Sequence, residues 1–133
     1  MATMRATALQ LENLRHDVKV RSHTITADEP RDSGGDDSGP SPQELLAASL
    51  ASCTAITVEM YAKRKGWNVE GLEVDVDYTP AERGSATTFK TIIKMPAHLP
   101  EDQVERLQVI AAKCPVHRTL EGEVVFDERV ELA

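Results

Sequence analysis

The tightest constraint on this chain is one long helix whose two ends are written into the sequence. Ser41-Pro42-Gln43-Glu44 fits a capping box. Ser41 is the N-cap, Pro42 takes the first helical position, where its missing N–H is not needed, and Glu44 at the third reaches back to the cap. The predicted helix runs to about Lys65, where Gly66 supplies the stop. Lys63, Arg64 and Lys65 load its last turn with cations that offset the negative end of the helix dipole. Leu45, Leu46, Ala48, Ser49, Cys53, Ile56 and Met60 form the expected apolar face, and small residues from Ala47 to Ser52 crowd the middle. Such a stretch admits close approach by another helix or sheet, so a buried central helix is expected.

The flanking segments supply strands. Ala6, Ala8, Leu9 and Leu11 form an apolar run, and Glu12 to Asp17 reads as a turn. Val18 and Val20 alternate with charged neighbours, which predicts a strand with one buried face, and His23 to Thr26 predicts another. Residues 28–39 are a polar loop within the domain, rich in Asp, Ser and Gly. After the helix, Leu72, Val74, Val76 and Tyr78 alternate with acidic residues, and Phe89, Thr91, Ile93 and Met95 repeat the pattern beyond a turn at Pro80 and Gly84. These form an expected antiparallel hairpin. Val104, Leu107, Ile110 and Ala111 fall at helical spacing in a second helix over 101–113, and 123–130 predicts a last strand. The order is that of an α+β fold rather than a parallel α/β one. The 133 residues suit one domain spanning 1–133.

A net charge of −7 argues against phosphate backbones and anionic lipid surfaces as partners. Residues 1–14 show no secretory leader pattern, and no stretch is read as a bilayer span. A cytoplasmic protein is expected. In that setting the two cysteines, Cys53 and Cys114, are core residues or redox-active thiols rather than a structural bridge.

The residues alone leave both readings open. Cys53 lies mid-helix, far from the helix N-terminus, so any thiolate there needs another stabilising group. Cys114 sits at a helix end beside Lys113, His117 and Arg118, which would lower its pKa if they pointed at it. A metal site is disfavoured, because only Cys114 and His117 are close in sequence and the paired-cysteine spacing is missing. His16, His23 and His98 are scattered. Glu44 lies nine residues before Cys53, too far along one straight helix for contact, and capping is its favoured role.

The segment Gly39-Pro40-Ser41-Pro42-Gln43-Glu44-Leu45-Leu46 through Ser52-Cys53-Thr54-Ala55, together with Lys113-Cys114-Pro115-Val116-His117-Arg118, resembles the two cysteine motifs of the OsmC/Ohr family. Met60 to Trp67 and the loop Asp28-Glu29-Pro30 with Gly34-Gly35 look like its OsmC-like subgroup. The resemblance implies an intertwined homodimer with two interfacial active sites, each pairing Cys53 with Cys114. It implies a thiol peroxidase for organic hydroperoxides. The first cysteine becomes a sulfenic acid, the second condenses with it to a disulfide, and an external thiol reduces that bond. No metal or organic cofactor is implied. Glu44 enters the candidate catalytic set with the two cysteines. Two departures stand out. Gln43 occupies a position where strongly active members carry glutamate, and the family's N-terminal arginine is matched by Arg15, Arg21 or Arg31 without a choice among them. The competing expectation is a redox sensor or small-molecule-binding dimer without turnover.

Overall fold

The computed structural model describes residues 3–132. Among them are two antiparallel sheets and three α-helices, an α+β architecture as expected. The chain divides into two compact units, and the boundary falls inside the long helix between Ala48 and Ser49.

In the first unit, β1 (Thr7–Gln10), β2 (His16–Val20) and β3 (His23–Ala27) form a three-stranded sheet in sequence order. Ala8 pairs with Val18, and Val18 with Ile25. The expected turn at 12–17 is shorter, since His16 and Asp17 already belong to β2. The polar loop 28–39 holds a short 3₁₀ turn at Arg31–Ser33 and is tightly organised. Its centre is Asp28, only 2% exposed. The Asp28 carboxylate accepts from the backbone N–H of Glu29 at 2.7 Å, from that of Ser38 at 3.1 Å, and from the Ser38 hydroxyl. These bonds, the hydroxyl first, hold its pKa down at about 2 against the opposing effect of burial. Gly35 is needed here because a Cβ at that position would run into the Glu29 carbonyl. The Asn13 amide ties the β1–β2 turn to this loop through the Gly34 carbonyl, 3.0 Å away.

The long helix α1 (Pro42–Lys65) has the ends that its sequence specifies. Ser41 N–H donates to Glu44 Oε1 at 2.9 Å, and Glu44 N–H donates to Ser41 Oγ at 3.2 Å, which is a reciprocal capping box. At the far end Gly66 takes φ 74°. Gly66 N–H reaches the Lys63 carbonyl and Trp67 N–H the Ala62 carbonyl, the bond pair of a Schellman stop.

The buried face of α1 differs from the expected one. Leu50, Thr54, Val58 and Ala62 form the buried stripe, whereas Ile56 and Met60 are 54% and 64% exposed. Small and apolar residues occur around most of this helix, so the contrast between its faces is too weak for periodicity to choose one. The same composition corrects the reading that no stretch could span a bilayer: α1 is long and apolar enough by length and composition. Here Val58 and Ala62 pack into a core.

That core belongs to the second unit. Val58 and Ala62 meet Leu99, Leu107 and Ala111, with Tyr61, Trp67, Leu72 and Ile93 packed around them. β4 (Glu73–Thr79) and β5 (Thr88–Lys94) form the expected hairpin, with Tyr78 stacked on its partner Phe89 at 4.8 Å between ring centroids. Lys94 crosses to Glu73 and Asp75 at 2.8 and 2.9 Å. α2 (Glu101–Ala111) buries Leu107, Ile110 and Ala111, the face its spacing predicts, but ends two residues short of Lys113. A further helix, α3 (Pro115–Glu121), follows directly. Pro115 keeps Cys114 out of the helical conformation, so α2 ends just before that cysteine, and it also takes the first position of α3, which suits a residue with no N–H. The expected strand at 123–130 is not formed among the described residues. Val124, Val125, Phe126 and Val130 are exposed, and no strand of the described sheets pairs with them. Alternation can propose a strand, but a ladder needs an edge to bond.

Candidate active site

Both cysteines lie in the second unit. Cys53 is next to Thr54 of the buried stripe, so it is turned partly away from the core and is half-buried as a free thiol. Cys114 lies at the junction of α2 and α3. Lys113 N–H and Cys114 N–H bond back to the carbonyls of Ile110 and Ala111, at 2.9 and 3.3 Å, and close the last turn of α2. Cys114 then caps α3, its sulfur accepting from His117 N–H at 3.4 Å. It is completely buried.

The fold brings Cys114 close enough to Cys53 to act on its ionisation. Burial, followed by the neighbouring Cys114 thiol, pushes the Cys53 pKa up. The Val116 backbone N–H and the Thr57 hydroxyl pull the other way without prevailing. Sequence reasoning missed both. Thr57 was findable, since it stands one helical turn after Cys53. Val116 acts through its backbone, and no side-chain pattern announces that.

The cations near Cys114 in sequence do not converge on its sulfur. The His117 imidazole turns to Glu121 Oε1 at 2.9 Å, and Arg118 is exposed. Lys113 instead lines an open cavity of about 750 Å³ that begins at Thr57 and Pro115, neighbours of the two cysteines. Glu44 is engaged in the capping box, and its hydrogen bonds with Ser41 hold its pKa low. Gln43 is exposed. Of the three candidate arginines, Arg21 and Arg31 are exposed, whereas Arg15 has a buried Nε with no acceptor. His16 bonds to the Leu14 carbonyl and His98 to that of Asn68. Among the described residues, no three His, Cys, Asp or Glu side chains gather as metal ligands.

Such a pair, one thiol half-buried and its neighbour buried, has the makings of a dithiol–disulfide couple. A family model described as OsmC-like protein matches residues 35–129, which includes both cysteines. Solved structures match over most of the chain. A Psychrobacter arcticus protein ascribed to osmotic stress induction and the detoxification response is 22% identical with a TM-score of 0.77, covering 90% of this chain and 89% of its own. An OsmC-like protein of Mycoplasma pneumoniae is 20% identical with a TM-score of 0.75, over 91% and 89%. The organic hydroperoxide resistance protein OhrB of Bacillus subtilis is 19% identical with a TM-score of 0.61, over 91% and 92%. No curated protein matches the sequence.

Proposed function

The chain belongs to the OsmC-like protein family, and from that membership we propose that it is a thiol peroxidase that reduces organic hydroperoxides. The observation that carries the reading is that half-buried Cys53 and buried Cys114, far apart in sequence, are brought near enough for one to act on the other's ionisation. Cys53 loses its proton and its sulfur attacks the terminal oxygen of ROOH. An S–O bond forms, the O–O bond breaks, and the alkoxide leaves as ROH with a proton. The Cys53 sulfenic acid then condenses with the Cys114 thiol, releasing water and forming the Cys53–Cys114 disulfide. An external thiol returns both cysteines to the reduced state. The chemistry calls for no metal or organic cofactor. A homodimer and a reducing, cytoplasmic setting belong to the same proposal. The exposed apolar residues of α1 and of the C-terminal segment support the dimer, and the free thiols suit the compartment. Glu44 is left to helix capping.

The test is turnover of cumene hydroperoxide. Cys53→Ser is expected to abolish it. Cys114→Ser is expected to keep a single oxidation step and accumulate a sulfenic acid that dimedone labels on Cys53. Full turnover by Cys53→Ser would overturn the reading.

The raised Cys53 pKa, together with glutamine at position 43, supports a second reading: a slow redox sensor or small-molecule-binding dimer. It requires an oxidation rate no higher than that of free cysteine, so a rate well above that ends it.

A further inference from the structure

Any group that assists the attack on a peroxide has two places to reach, the sulfur of Cys53 and the space beside it in which the peroxide would lie. Thr57 is placed for both. It follows Cys53 by four positions in α1, one helical turn and about 6 Å of axis, so the two side chains share a face. Its hydroxyl is close enough to favour the ionised sulfur, as a donor does. It also lines the open cavity of about 750 Å³, together with Met60, Ile110 and Pro115. A helical threonine can turn its hydroxyl back to the carbonyl four residues earlier, as Thr119 does to Pro115 at 3.0 Å. Among the described residues Thr57 makes no such bond, which leaves its proton available. Tyr61, Lys63 and Arg64 on the same lining stand further along α1. Tyr61, the nearest of them, lies eight residues from Cys53, about 12 Å of helix, and its hydroxyl already accepts from Arg106 Nε at 2.9 Å.

We propose that Thr57 is the proton relay of the peroxidase reaction, taking the proton that Cys53 gives up and passing its own to the departing alkoxide. This rests on the peroxidase reading above. Burial keeps the proton on Cys53 until the peroxide arrives, whereas an alkoxide is about as basic as hydroxide, whose parent water has a pKa of about 15.7, and needs a proton to leave. One hydroxyl between the two serves both. Cys53 passes its proton to Thr57 Oγ1, and its sulfur attacks the terminal oxygen of ROOH. The S–O bond forms as the O–O bond breaks, and the proton that Thr57 first held moves to the departing oxygen. The sulfur is oxidised to the sulfenic acid, the peroxide is reduced to ROH, and Thr57 ends as the hydroxyl it was. No outside acid or base is consumed. The Val116 N–H can steady the sulfur but cannot hand on a proton, because an amide is too weak an acid.

The test compares the rates at which Cys53 reacts with three electrophiles that differ in what they expel. tert-Butyl hydroperoxide releases an alkoxide, which needs the relayed proton. Peracetic acid releases a carboxylate and iodoacetamide releases iodide, and neither needs one at neutral pH. Thr57→Val keeps the shape of the side chain and removes the hydroxyl. It is expected to slow tert-butyl hydroperoxide about a hundredfold, and to slow the other two equally and far less. Thr57→Ser, which restores a hydroxyl, should recover the alkyl hydroperoxide rate. Thr57→Ala takes the place of Thr57→Val if that variant does not fold, and the iodoacetamide rate checks that the thiol is still presented. Equal slowing of all three would mean that the hydroxyl acts only through the ionisation of the sulfur, and overturns the relay. An unchanged tert-butyl hydroperoxide rate overturns it too, as does the same selective loss in Lys113→Gln, which would give the role to the lysine on the cavity lining. These outcomes leave the peroxidase reading standing, whereas a wild-type protein that does not reduce tert-butyl hydroperoxide sinks that reading and the relay with it.

Discussion

Burial and the Cys114 thiol together disfavour the thiolate of Cys53, and the Val116 N–H and Thr57 hydroxyl offset only part of that effect. Only the thiolate attacks, so reactivity should follow its population. Alkylation of Cys53 by iodoacetamide, read on the tryptic peptide 32–63, is expected to rise with pH and to level off above the ordinary cysteine value of about 8.5. In Cys114→Ala the inflection should move down, because the neighbouring thiol no longer opposes ionisation. An inflection unchanged by that substitution would show that burial alone sets the value. At this scale the sequence was half legible. Both cysteines and the role of Glu44 as a cap could be read from local spacing. The direction of the Cys53 shift could not, because it depends on Cys114 folding back against α1 and on a backbone donor at Val116. The turn of His117 toward Glu121 was equally hidden, since a cation beside a cysteine in sequence says nothing about where its side chain points.

Helix α1 is stabilised at its two ends by bonds its own neighbours provide, and in its middle by distant residues. Ser41→Ala removes one acceptor of the capping box and is expected to lower stability by about 1 kcal/mol. Gly66→Ala meets no neighbouring atom but forces a side chain into the left-handed region, at a cost of about 1 kcal/mol. Leu107→Ala, at a fully buried core position, is expected to cost about 2–5 kcal/mol. Urea unfolding followed by circular dichroism ranks the three, and a Leu107→Ala loss no larger than the end effects would contradict the core described here. These differences explain what could be read in advance. Caps and stops are signals a few residues long, so both ends of α1 were legible, as were the β4–β5 hairpin and the buried face of α2. The buried face of α1 was not, because an alanine- and serine-rich helix has little contrast between its sides. The start of α3 was lost because proline both ends and begins helices.

Across the whole molecule, apolar side chains remain uncovered on α1 and in the C-terminal segment, where Phe126 is 80% exposed. The homodimer proposed above would give them cover. Light scattering after gel filtration is expected to give about 29 kDa, twice the chain mass of 14.6 kDa, and Phe126→Asp to shift the population toward monomer. A wild-type protein that runs as a monomer at micromolar concentration would end the dimer proposal. The missing strand at 123–130 fits the same logic: an alternating pattern was legible, but the edge it needs is not among the strands of the described chain.

The two thiols meet in space but lie 61 positions apart in the chain, 114 minus 53. A ribosome adds about 5–20 residues per second, so each new polypeptide carries Cys53 for roughly 3–12 s before Cys114 has been made. On the peroxidase reading, a sulfenic acid formed in that interval lacks Cys114 as its partner and, unless an external thiol caps it first, can be carried on to the irreversible sulfinic and sulfonic acids. Oxidative stress would then damage molecules during their synthesis that the proposed Cys53–Cys114 disulfide protects once the chain is complete.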